Sequence, residues 1–554
     1  MHPATTQTSR KAPADPSQML EITLLLRPRT PLPELDHPLA TNSGPRHHIP
    51  YAQMASRHGA DPHDLELVRA FASSHQLHIG VIDAARRTVQ LTGTIASIAA
   101  AFHTSLHIHT CPHEGSGEST FLSPATEPSI PSSLRHVVEA VLGLHTGSTA
   151  RRHRTTLAAP AHQPHSLRQL ASAYDLPIQA DCSSQTIGLI ELGGGYHPHD
   201  IAAFCHANQL PTPRIAVVQV NGGRNRPAPT TAIQHMLDCV NGQTRLSEAA
   251  LQSAAIEAAQ ATVEVTMDLA ILAGLAPGAH LVLYFGTADE QGIYHALSQA
   301  IHDQTHRPDI LSISWGEPEP AVSETYLFAI DRLLQVASHL GITVCASSGD
   351  AGAHNNSPDH LPAVNFPASS PYCLACGGTT AHLKTAAHAP DAAEIVEEVV
   401  WNATHFGFKG ATGGGVSRYF PLPPWQQRAH VPPSPFDKPG RGVPDVAGPA
   451  DPRCGFQIQM AGRSFTTAGT SAAAPLWAAL LAQCNHALGH RCGHIHDHLY
   501  HIGHHQLAGL RPVTSGHNDA YQAGPGWNPC TGYGTPSGKH LQHYLCTAAT
   551  KPTT

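Results

Sequence analysis

Five short apolar segments between residues 185 and 347 constrain the fold more than any other feature of this chain. Helical patterns at 293–301 and 326–340 lie between some of them. Strand–helix alternation over this length predicts an α/β fold with a doubly wound, mostly parallel sheet, in which active groups gather at the carboxyl ends of the strands. The segments are Gln185–Leu192, Ile215–Val220, Leu281–Phe285, Ile310–Ser314 and Ile342–Ser347.

The chain before residue 150 follows a different pattern. Strand-like segments at 20–26, 78–82, 88–92 and 106–109 alternate with helical stretches at 64–74 and 95–102. We therefore expect a small α+β domain over residues 18–150. A polar, flexible linker over residues 151–165, of the kind that proteases cut, should join it to the α/β domain over residues 166–550.

Composition excludes two classes of partner. The 554 residues contain 32 Lys and Arg against 40 Asp and Glu, so no basic surface indicates nucleic-acid binding. No apolar run approaches the roughly 20 residues that a membrane helix needs, and we expect no membrane partner. The 43 His make the sign of the net charge depend on pH near neutrality and below, which is compatible with work in acid.

Residues 468–475, Ala-Gly-Thr-Ser-Ala-Ala-Ala-Pro, describe a serine at the start of a helix. Gly469 allows a sharp turn, and an apolar, helix-forming segment follows Pro475. At such a position Ser471 meets the positive end of the helix dipole, which favours developing negative charge. The same pattern also fits an ordinary capping serine. The two interpretations separate only if the chain supplies a base that can deprotonate the hydroxyl.

A histidine base is the first hypothesis, because Gly-Thr-Ser-x-x-x-Pro also resembles the subtilases. That family needs a His that begins a helix in a His-Gly-Thr pattern and an Asp at the end of the first core strand. The chain has its His-Gly pair at His58, in the N-terminal domain, and Glu191 at the end of that strand. A Ser-His-Asp arrangement is therefore disfavoured.

Two carboxylates offer another base. Glu264 and Asp268 are four residues apart in a nearly all-apolar helical stretch, so both project from one helix face. Paired, partly desolvated carboxylates share a proton and titrate as a unit. Asp350, in Ser-Ser-Gly-Asp, follows a core strand, where a serine hydrolase of this layout needs an oxyanion donor. The alternative interpretations are two solvent-facing acids and an ordinary turn.

Several ordered motifs resemble the sedolisins, the serine-carboxyl peptidases, and within them the kumamolisin branch. The resemblance covers about residues 158–545, and residues 18–150 resemble that family's activation propeptide. It rests on the motifs around Glu264 and Asp268, around Asp350 and around Ser471, and on five further segments: Ile190–Tyr196, Ser312–Gly316, Gly413–Ser417, Arg441–Gly448 and Ala523–Trp527.

The resemblance implies a role for each of the four chemical positions. Ser471 is the expected nucleophile, Glu264 its general base, and Asp268 the carboxylate that orients Glu264. Asp350 is expected to complete the oxyanion hole with backbone N–H groups near Ser471. Peptide bonds would be hydrolysed through an acyl-enzyme, and activity in acid is expected because a carboxylate base still works at roughly pH 3–5.

The family also implies features beyond the four chemical positions. Glu191 and Trp315 match positions that extend the hydrogen-bond chain behind the carboxylate pair. The expected fold is a subtilisin-like sheet preceded by a ferredoxin-like prodomain, which inhibits its own enzyme until it is removed. We expect protein or peptide substrates, a monomer and action outside the cell, although the first residues show no readable export signal; cytoplasmic synthesis with non-standard export stays open.

The chain departs from the family pattern at the calcium site. In the family, two Asp side chains and several backbone carbonyls bind one Ca²⁺ near the C-terminus. The matching positions here are Pro512 and Val513, then Gly524, Gly526 and Asn528, so both carboxylates are missing. A hard cation should bind poorly to what remains. The chemistry requires no cofactor, and calcium binding is doubtful.

Two further features carry weaker expectations. Asn365 stands where kumamolisin-like members carry an Asp in the S1 region, so a preference for a basic P1 residue is doubtful. His494, His498, His501 and His505 would line one helical face, which we interpret as histidine enrichment on an ordinary surface helix rather than a metal site.

Three functions remain open on the sequence. The leading one is an acid endopeptidase made as an inactive precursor. A tripeptidyl-peptidase of the same fold differs in blocking the non-primed end of the cleft, which sequence does not reveal. The third is a His-rich binding protein on a catalytically altered peptidase scaffold.

Overall fold

A computed structural model describes most of the chain and shows two units with separate cores. Residues 153–164, which form most of the predicted linker, lie outside the described residues. The described ranges are 10–35, 48–113, 117–148, 151–152, 165–178, 181–240, 254–386, 388–404 and 410–549.

The N-terminal unit is built on a four-stranded antiparallel sheet in the order β3-β4-β2-β7. Together with its helices the sheet has a β-α-β-β-α-β arrangement, so the predicted ferredoxin-like topology is confirmed. The strands are β1 (Arg10–Pro13), β2 (Met19–Leu26), β3 (His78–Asp83), β4 (Thr88–Thr94), β5 (Leu106–His113), β6 (Gly117–Pro124) and β7 (Val138–Leu142), and the helices are Tyr51–His58, Pro62–Ser74 and Ile95–Ala101.

A second sheet extends this unit toward the N-terminus. β1 pairs antiparallel with β5, and β5 pairs with β6. The unit therefore begins by Arg10, before the residue 18 that the sequence suggested. Its core is its own: alternate residues Ile22, Leu24 and Leu26 of β2 pack with the helices and with β4.

The larger unit is centred on a sheet in the order β10-β11-β9-β12-β14-β16-β17, with β20 also paired to β16. All these pairs are parallel except β16 with β17, so the predicted mostly parallel sheet is confirmed. The strands are β9 (Thr186–Glu191), β10 (Arg214–Gln219), β11 (His280–Phe285), β12 (Ile310–Ile313), β14 (Thr343–Ser347), β16 (Leu374–Ala386), β17 (Ala389–Val400) and β20 (Val446–Pro449).

Helices cover both faces of this sheet, with apolar clusters on either side. They are Leu167–Ala173, Pro198–Ala207, Thr230–Val240, Ala254–Leu275, Glu290–Ile301, Glu324–His339, Thr470–Leu488, His496–His504 and Gly538–Ala549. The smaller strands are β8 (Arg151–Arg152), β13 (Trp315–Pro318), β15 (Asn365–Phe366), β18 (Gly415–Val416), β19 (Gly442–Val443), β21 (Phe456–Met460), β22 (Arg463–Thr467), β23 (Leu510–Arg511) and β24 (Thr535–Pro536).

Two helices stand out because they are buried along most of their length. By length and composition Ala254–Leu275 could span a membrane, but 83% of its most apolar window is buried inside the protein. We call it the carboxylate helix, since it carries Glu264 and Asp268, and we call Thr470–Leu488 the nucleophile helix. The two pack against each other in the larger core, so burial comes from the protein itself.

The N-terminal unit lies against the helix Glu290–Ile301 of the larger unit. Thr23 Oγ1 is 2.9 Å from His295 Nε2, and Arg86 donates to Gln299 Oε1 at 2.8 Å. Leu25 and Met54 are buried in a cluster of the larger unit rather than in their own core. The two units therefore share a packed, partly polar interface.

Candidate active site

Ser471 is the second residue of the nucleophile helix and is fully buried. Gly469, with φ 105°, caps the helix in a conformation that favours glycine. Pro475 lies in the second turn, where its missing N–H would otherwise bond to the carbonyl of Ser471. Ser314 Oγ instead approaches that carbonyl at 3.3 Å, and Ser471 Oγ donates to Ser314 O at 3.4 Å. The serine is thus held at the carboxyl end of β12.

The carboxylate helix places Glu264 and Asp268 one turn apart in the core. They are 0% and 1% exposed, which excludes the alternative that these acids face water. Asp268 Oδ2 accepts a hydrogen bond of 2.8 Å from Ser314 Oγ, the same hydroxyl that approaches the Ser471 carbonyl. Ser314 therefore links the carboxylate helix to the nucleophile helix.

Glu191 and Trp315 also meet as expected. Glu191 ends β9 and is fully buried, and its Oε2 accepts a hydrogen bond of 3.2 Å from Trp315 Nε1. The charge of Glu264 raises the pKa of Glu191, and the charges of Glu191 and Glu264 raise the pKa of Asp268, so the three acids form one electrostatic group.

Burial dominates the acid–base properties of this group. It raises the pKa of Asp268 well above its usual value, and the charges of Glu191 and Glu264 raise it further. Burial likewise raises the pKa of Glu191 against the opposing hydrogen bond from Trp315. No Lys, Arg or His within the described ranges is among the charged neighbours that shift these two pKa values. A proton is therefore retained in the group well above the pH at which isolated carboxyls lose theirs.

Asp350 follows β14 and is fixed by one neighbour. Its Oδ1 accepts two hydrogen bonds from Thr470, one from the backbone N–H at 2.8 Å and one from the hydroxyl at 2.7 Å. Burial raises the pKa of Asp350 to about 7, Thr470 opposes this shift, and the charge of Glu264 adds to it. A carboxyl that keeps its proton up to near neutrality can donate a hydrogen bond to an oxyanion.

β13 begins directly after Ser314, the residue that contacts Ser471. Trp315 and Gly316 pair antiparallel with Arg152 and Arg151 of β8, which is the start of the predicted linker. On its other side β13 pairs with β15. The chain that joins the two units thus runs as an added strand next to the residues that hold Ser471.

Asn365, the tentative S1 residue, lies in β15 and is buried. It is close to the turn that carries Asp350, since a Cβ added to Gly349 would lie 2.4 Å from Asn365 Nδ2. The structure therefore brings Asn365 to the active-site region; its effect on specificity remains a prediction.

The positions of the expected calcium site do not form a carboxylate-rich cage. Val513 and Asn528 are buried, whereas Pro512 and Gly526 are exposed and Gly524 is half-exposed. Across the described residues, no cluster of three or more His, Cys, Asp or Glu could hold a metal ion. The donors at this place are carbonyls and one amide, which do not fit Ca²⁺ without an anionic ligand.

The interpretation of the His-rich segment needs a correction. The helix begins at His496, so His494 precedes it rather than lining its face. His494 and His496 are buried and their rings stack with centroids 4.2 Å apart, while His505 is exposed. The buried pair contacts carbonyls of residues 371 and 373, so it belongs to the packing of the core rather than to an ordinary surface helix.

Two residues of the site are not predicted by the sequence patterns. Ser314 lies in the segment Ser312–Gly316, and its position after a core strand is the one signal that places its hydroxyl at the carboxyl end of that strand. Thr470 precedes Ser471, and no pattern assigns it a role of its own. Neither spacing nor composition predicts that their hydroxyls bond to Asp268 and Asp350, because those contacts join segments more than 40 residues apart.

Comparison with known proteins agrees with this geometry. Residues 6–146 match the family described as Pro-kumamolisin, activation domain, and residues 251–495 match the Subtilase family. Kumamolisin from Bacillus sp. (strain MN-32) is 36% identical over 571 residues, with 98% of this chain and 95% of that protein covered. Tripeptidyl-peptidase sed5 from Aspergillus fumigatus is 26% identical over 593 residues, with 97% and 95% covered.

A solved structure supports the same assignment. Pseudomonas sedolisin, a serine-carboxyl proteinase complexed with two molecules of pseudo-iodotyrostatin, superposes with a TM-score of 0.57 at 26% identity. The match covers 70% of this chain and 99% of the sedolisin chain. The chain therefore belongs to the sedolisin family of serine-carboxyl peptidases, as a kumamolisin-like serine peptidase with an N-terminal activation domain.

Proposed function

We propose that this protein is an acid-active endopeptidase, made as a zymogen, in which Ser471 is the nucleophile and Glu264 its general base. The observation that carries the proposal is a buried serine at a helix start beside a group of buried carboxylates whose pKa-shifting neighbours include no cation in the described chain. A carboxylate base still accepts a proton at roughly pH 3–5, where an imidazole would already be protonated.

The proposed reaction is acyl transfer in two steps. Ser471 Oγ attacks the peptide carbonyl carbon while Glu264, oriented by Asp268, takes the hydroxyl proton. The neutral Asp350 carboxyl and backbone N–H groups at the helix start donate to the oxyanion. Glu264 then gives its proton to the leaving amine nitrogen, and the acyl-enzyme forms. A water molecule, deprotonated by Glu264, repeats the sequence and releases the acid product.

The N-terminal unit is proposed to act as an intramolecular inhibitor. The pairing of Arg151 and Arg152 with β13 supports this, because a peptide substrate lying along β13 would compete for the same strand edge. Cleavage within residues 153–165 would leave the N-terminal unit, with residues 151–152, bound only by non-covalent contacts. The edge of β13 becomes free when those contacts break.

Acid should weaken those contacts. His295 is packed against Thr23 of the N-terminal unit, and burial lowers its pKa to about 4, with Arg86 adding to this shift and Asp289 opposing it. Because the released histidine has an ordinary pKa near 6.5, separation takes up a proton between about pH 4 and 6.5. The complex is therefore favoured above this window and loses affinity as the pH falls through it.

An endopeptidase is favoured over a tripeptidyl-peptidase by the path of the linker. Residues 151–152 approach Ser471 along β13 with the whole N-terminal unit still attached on their N-terminal side. Self-processing within residues 153–165 would therefore be cleavage of an internal bond, as an endopeptidase requires. The similarity to the Aspergillus tripeptidyl-peptidase keeps the alternative as a test outcome.

Two reporters separate the possibilities. The processed enzyme and its Ser471→Ala variant are assayed in acid on an internally quenched peptide and on a tripeptide reporter with a free N-terminus. The proposal expects cleavage of the quenched peptide alone and no cleavage or self-processing by Ser471→Ala. Exclusive cleavage of the tripeptide reporter would replace endopeptidase by tripeptidyl-peptidase activity. No cleavage of either by the wild type would favour a binding protein.

Family resemblance also supports action outside the cell, in acidic surroundings. Fractionation of the producing cells, with immunodetection of the processed chain in the medium, tests this part of the proposal.

A further inference from the structure

The amide of Asn528 occupies the middle of the region where the family resemblance suggests calcium. Asn528 is 4% exposed and lies in a tight turn in which its backbone N–H and C=O both pair with Gly532. Its Nδ2 donates to the carbonyls of Val513 at 3.2 Å and Gly532 at 3.3 Å. One carbonyl expected to bind calcium is therefore already engaged by an N–H group.

The oxygen of the same amide is engaged as well. Asn528 Oδ1 accepts from the backbone N–H of Cys530 at 3.1 Å, and from the N–H and hydroxyl of Thr531 at 3.0 Å and 3.2 Å. These partners also fix the orientation of the amide, since N–H groups face its oxygen and carbonyls face its nitrogen. Neither end of the side chain offers a lone pair to a cation.

The other residues near the expected calcium site contribute little to the binding of a cation. An added Cβ at Gly524 or Gly526 would meet nothing within 4 Å, so the loop that carries them stands in open space. The nearby Asp519 accepts a hydrogen bond of 3.1 Å from Asn402 and lies against Gly352. The Asn528 N–H that points at the Val513 carbonyl oxygen carries a partial positive charge. It would therefore repel a divalent cation bound to the same oxygen.

We infer that Asn528 has taken over the structural task of the family's calcium ion, so that this protein is stable without calcium. The side chain ties the segment after β23 to the turn before β24, and it does so with neutral hydrogen bonds. Such a link does not depend on metal concentration or on deprotonated ligands.

The test uses the full-length chain with Ser471→Ala, which should not process itself. Its thermal unfolding is recorded in millimolar CaCl₂ and in excess EDTA, and Ca²⁺ binding is measured by calorimetric titration. We expect Tm values within about 1 °C of each other and no saturable binding heat. Asn528→Ala should lower Tm by several degrees, equally with and without Ca²⁺.

A gain-of-function variant serves as the matched control. Restoring both carboxylates with Pro512→Asp and Asn528→Asp should make Tm depend on Ca²⁺ and produce a binding heat. The inference is overturned if Ca²⁺ raises the Tm of the Ser471→Ala protein with Pro512 and Asn528 unchanged by several degrees, or if Asn528→Ala leaves Tm unchanged.

A second, independent observation concerns the hydrogen bonds of Asp350. The inference drawn from it rests on the proposed function. Thr470 Oγ1 accepts from the Gly349 N–H at 3.1 Å, so its own proton points to Asp350 Oδ1. With the Thr470 N–H, two donors then fill Oδ1. Oδ2 has no hydrogen-bond partner among the described residues, and a Cβ at Gly469 would come within 2.5 Å of it.

We propose that Thr470 is a positioning residue that confines the carboxyl proton of Asp350 to Oδ2, the oxygen left to donate to the oxyanion. An oxygen that already accepts two hydrogen bonds has no lone pair free to carry a proton. Gly469 contributes by leaving room for Oδ2 at the start of the nucleophile helix.

Thr470→Val and Thr470→Ser test this role through the pH dependence of kcat/KM. The valine removes one hydrogen bond that lowers the pKa of Asp350. We expect about a tenfold loss of kcat/KM and an alkaline limb moved to higher pH, whereas serine should restore the wild-type limb. A loss without movement of the limb, or no rescue by serine, would contradict the proposal. Asp350→Ala is the control: full activity in that variant would instead overturn the oxyanion role itself.

Discussion

The larger unit buries two groups of acids that behave in opposite ways. Around Asp268 the charged neighbours are other carboxylates, and burial with their repulsion raises its pKa. Around Asp445 burial also disfavours charge, but Arg441 and His496 outweigh it and lower the pKa to about 2. Arg441 Nη2 is 2.6 Å from Asp445 Oδ2, and both side chains are 0% exposed.

The difference lies in the counter-charge rather than in the depth of burial. Asp445 is an ionised acid whose oxygens also accept from the Tyr500 hydroxyl and the Ala375 N–H, so it ties several segments together. Asp268 keeps an oxygen without a partner among the described residues and has no cation to hold its charge. The first arrangement suits a structural crosslink; the second can move a proton.

The largest expected effect comes from Glu264→Gln. An amide of the same shape keeps the packing but cannot take the proton of Ser471, so we expect kcat to fall by about 10⁴-fold or more. The measurement is steady-state hydrolysis of a quenched peptide. Circular dichroism of the variant controls for folding. A loss below tenfold would remove Glu264 from the role of base.

Removing the cation from the other group should affect stability instead. Arg441→Met leaves the buried Asp445 with His496 alone as its charged partner, which should lower the free energy of unfolding by about 3–5 kcal/mol. Asp268→Asn is the matched change in the cation-free group, and it should cost less than about 1 kcal/mol while abolishing activity. Denaturant unfolding of both variants in the Ser471→Ala background compares them. Equal costs would erase the distinction between the two groups.

A smaller effect is expected at the oxyanion position. Asp350→Ala should reduce kcat by about 10²–10³-fold, because one donor to the oxyanion is lost. Asp350→Asn should retain more activity, since its amide can accept from Thr470 and still donate. Because an amide does not titrate, activity of this variant should extend above pH 7. An alkaline limb identical to that of the wild type would contradict the assignment.

Asp350, whose pKa is also raised by the charge of Glu264, and Asp445 predict pH dependences of stability with opposite signs. Asp350 holds its proton in the folded state up to about pH 7 but releases it near pH 4 when unfolded, so its contribution is full below pH 4 and is lost as pH rises to 7. Asp445 contributes fully above pH 4 and loses its contribution as pH falls toward 2. Unfolding of Ser471→Ala and its Asp350→Asn derivative across pH 4–7 measures the first effect: the amide should flatten the slope. An unchanged slope would refute it.

Much of the fold could be predicted because its signals are local. Each of the five apolar segments proved to be a strand of the main sheet, with boundaries within about two residues, and the ferredoxin-like pattern was visible in the order of helices and strands. The hairpin of β16 and β17 was not predicted, since half of the residues in its second strand, 389–400, are exposed, one is buried, and three are Glu. An exposed strand lacks the regular spacing of apolar residues on which the prediction of strands depends.

The site was predictable to the extent that its residues stand in motifs. Glu264 and Asp268 share one helix, so their spacing alone predicted a pair. The hydroxyls of Ser314 and Thr470 could not be assigned, because their partners come from distant segments. Asn528 was expected to be a weakened calcium ligand. Only the folded turn shows that both ends of its amide form hydrogen bonds, the nitrogen with Val513 and the oxygen with Thr531.

The most direct test of the account is the pH dependence of kcat/KM for the processed enzyme on a quenched peptide. A cation-free carboxylate group with a neutral Asp350 predicts activity in acid that is lost as pH rises through about 7. Activity that instead rises with pH through about 6.5 and is highest in mild alkali would indicate an imidazole base and contradict the account.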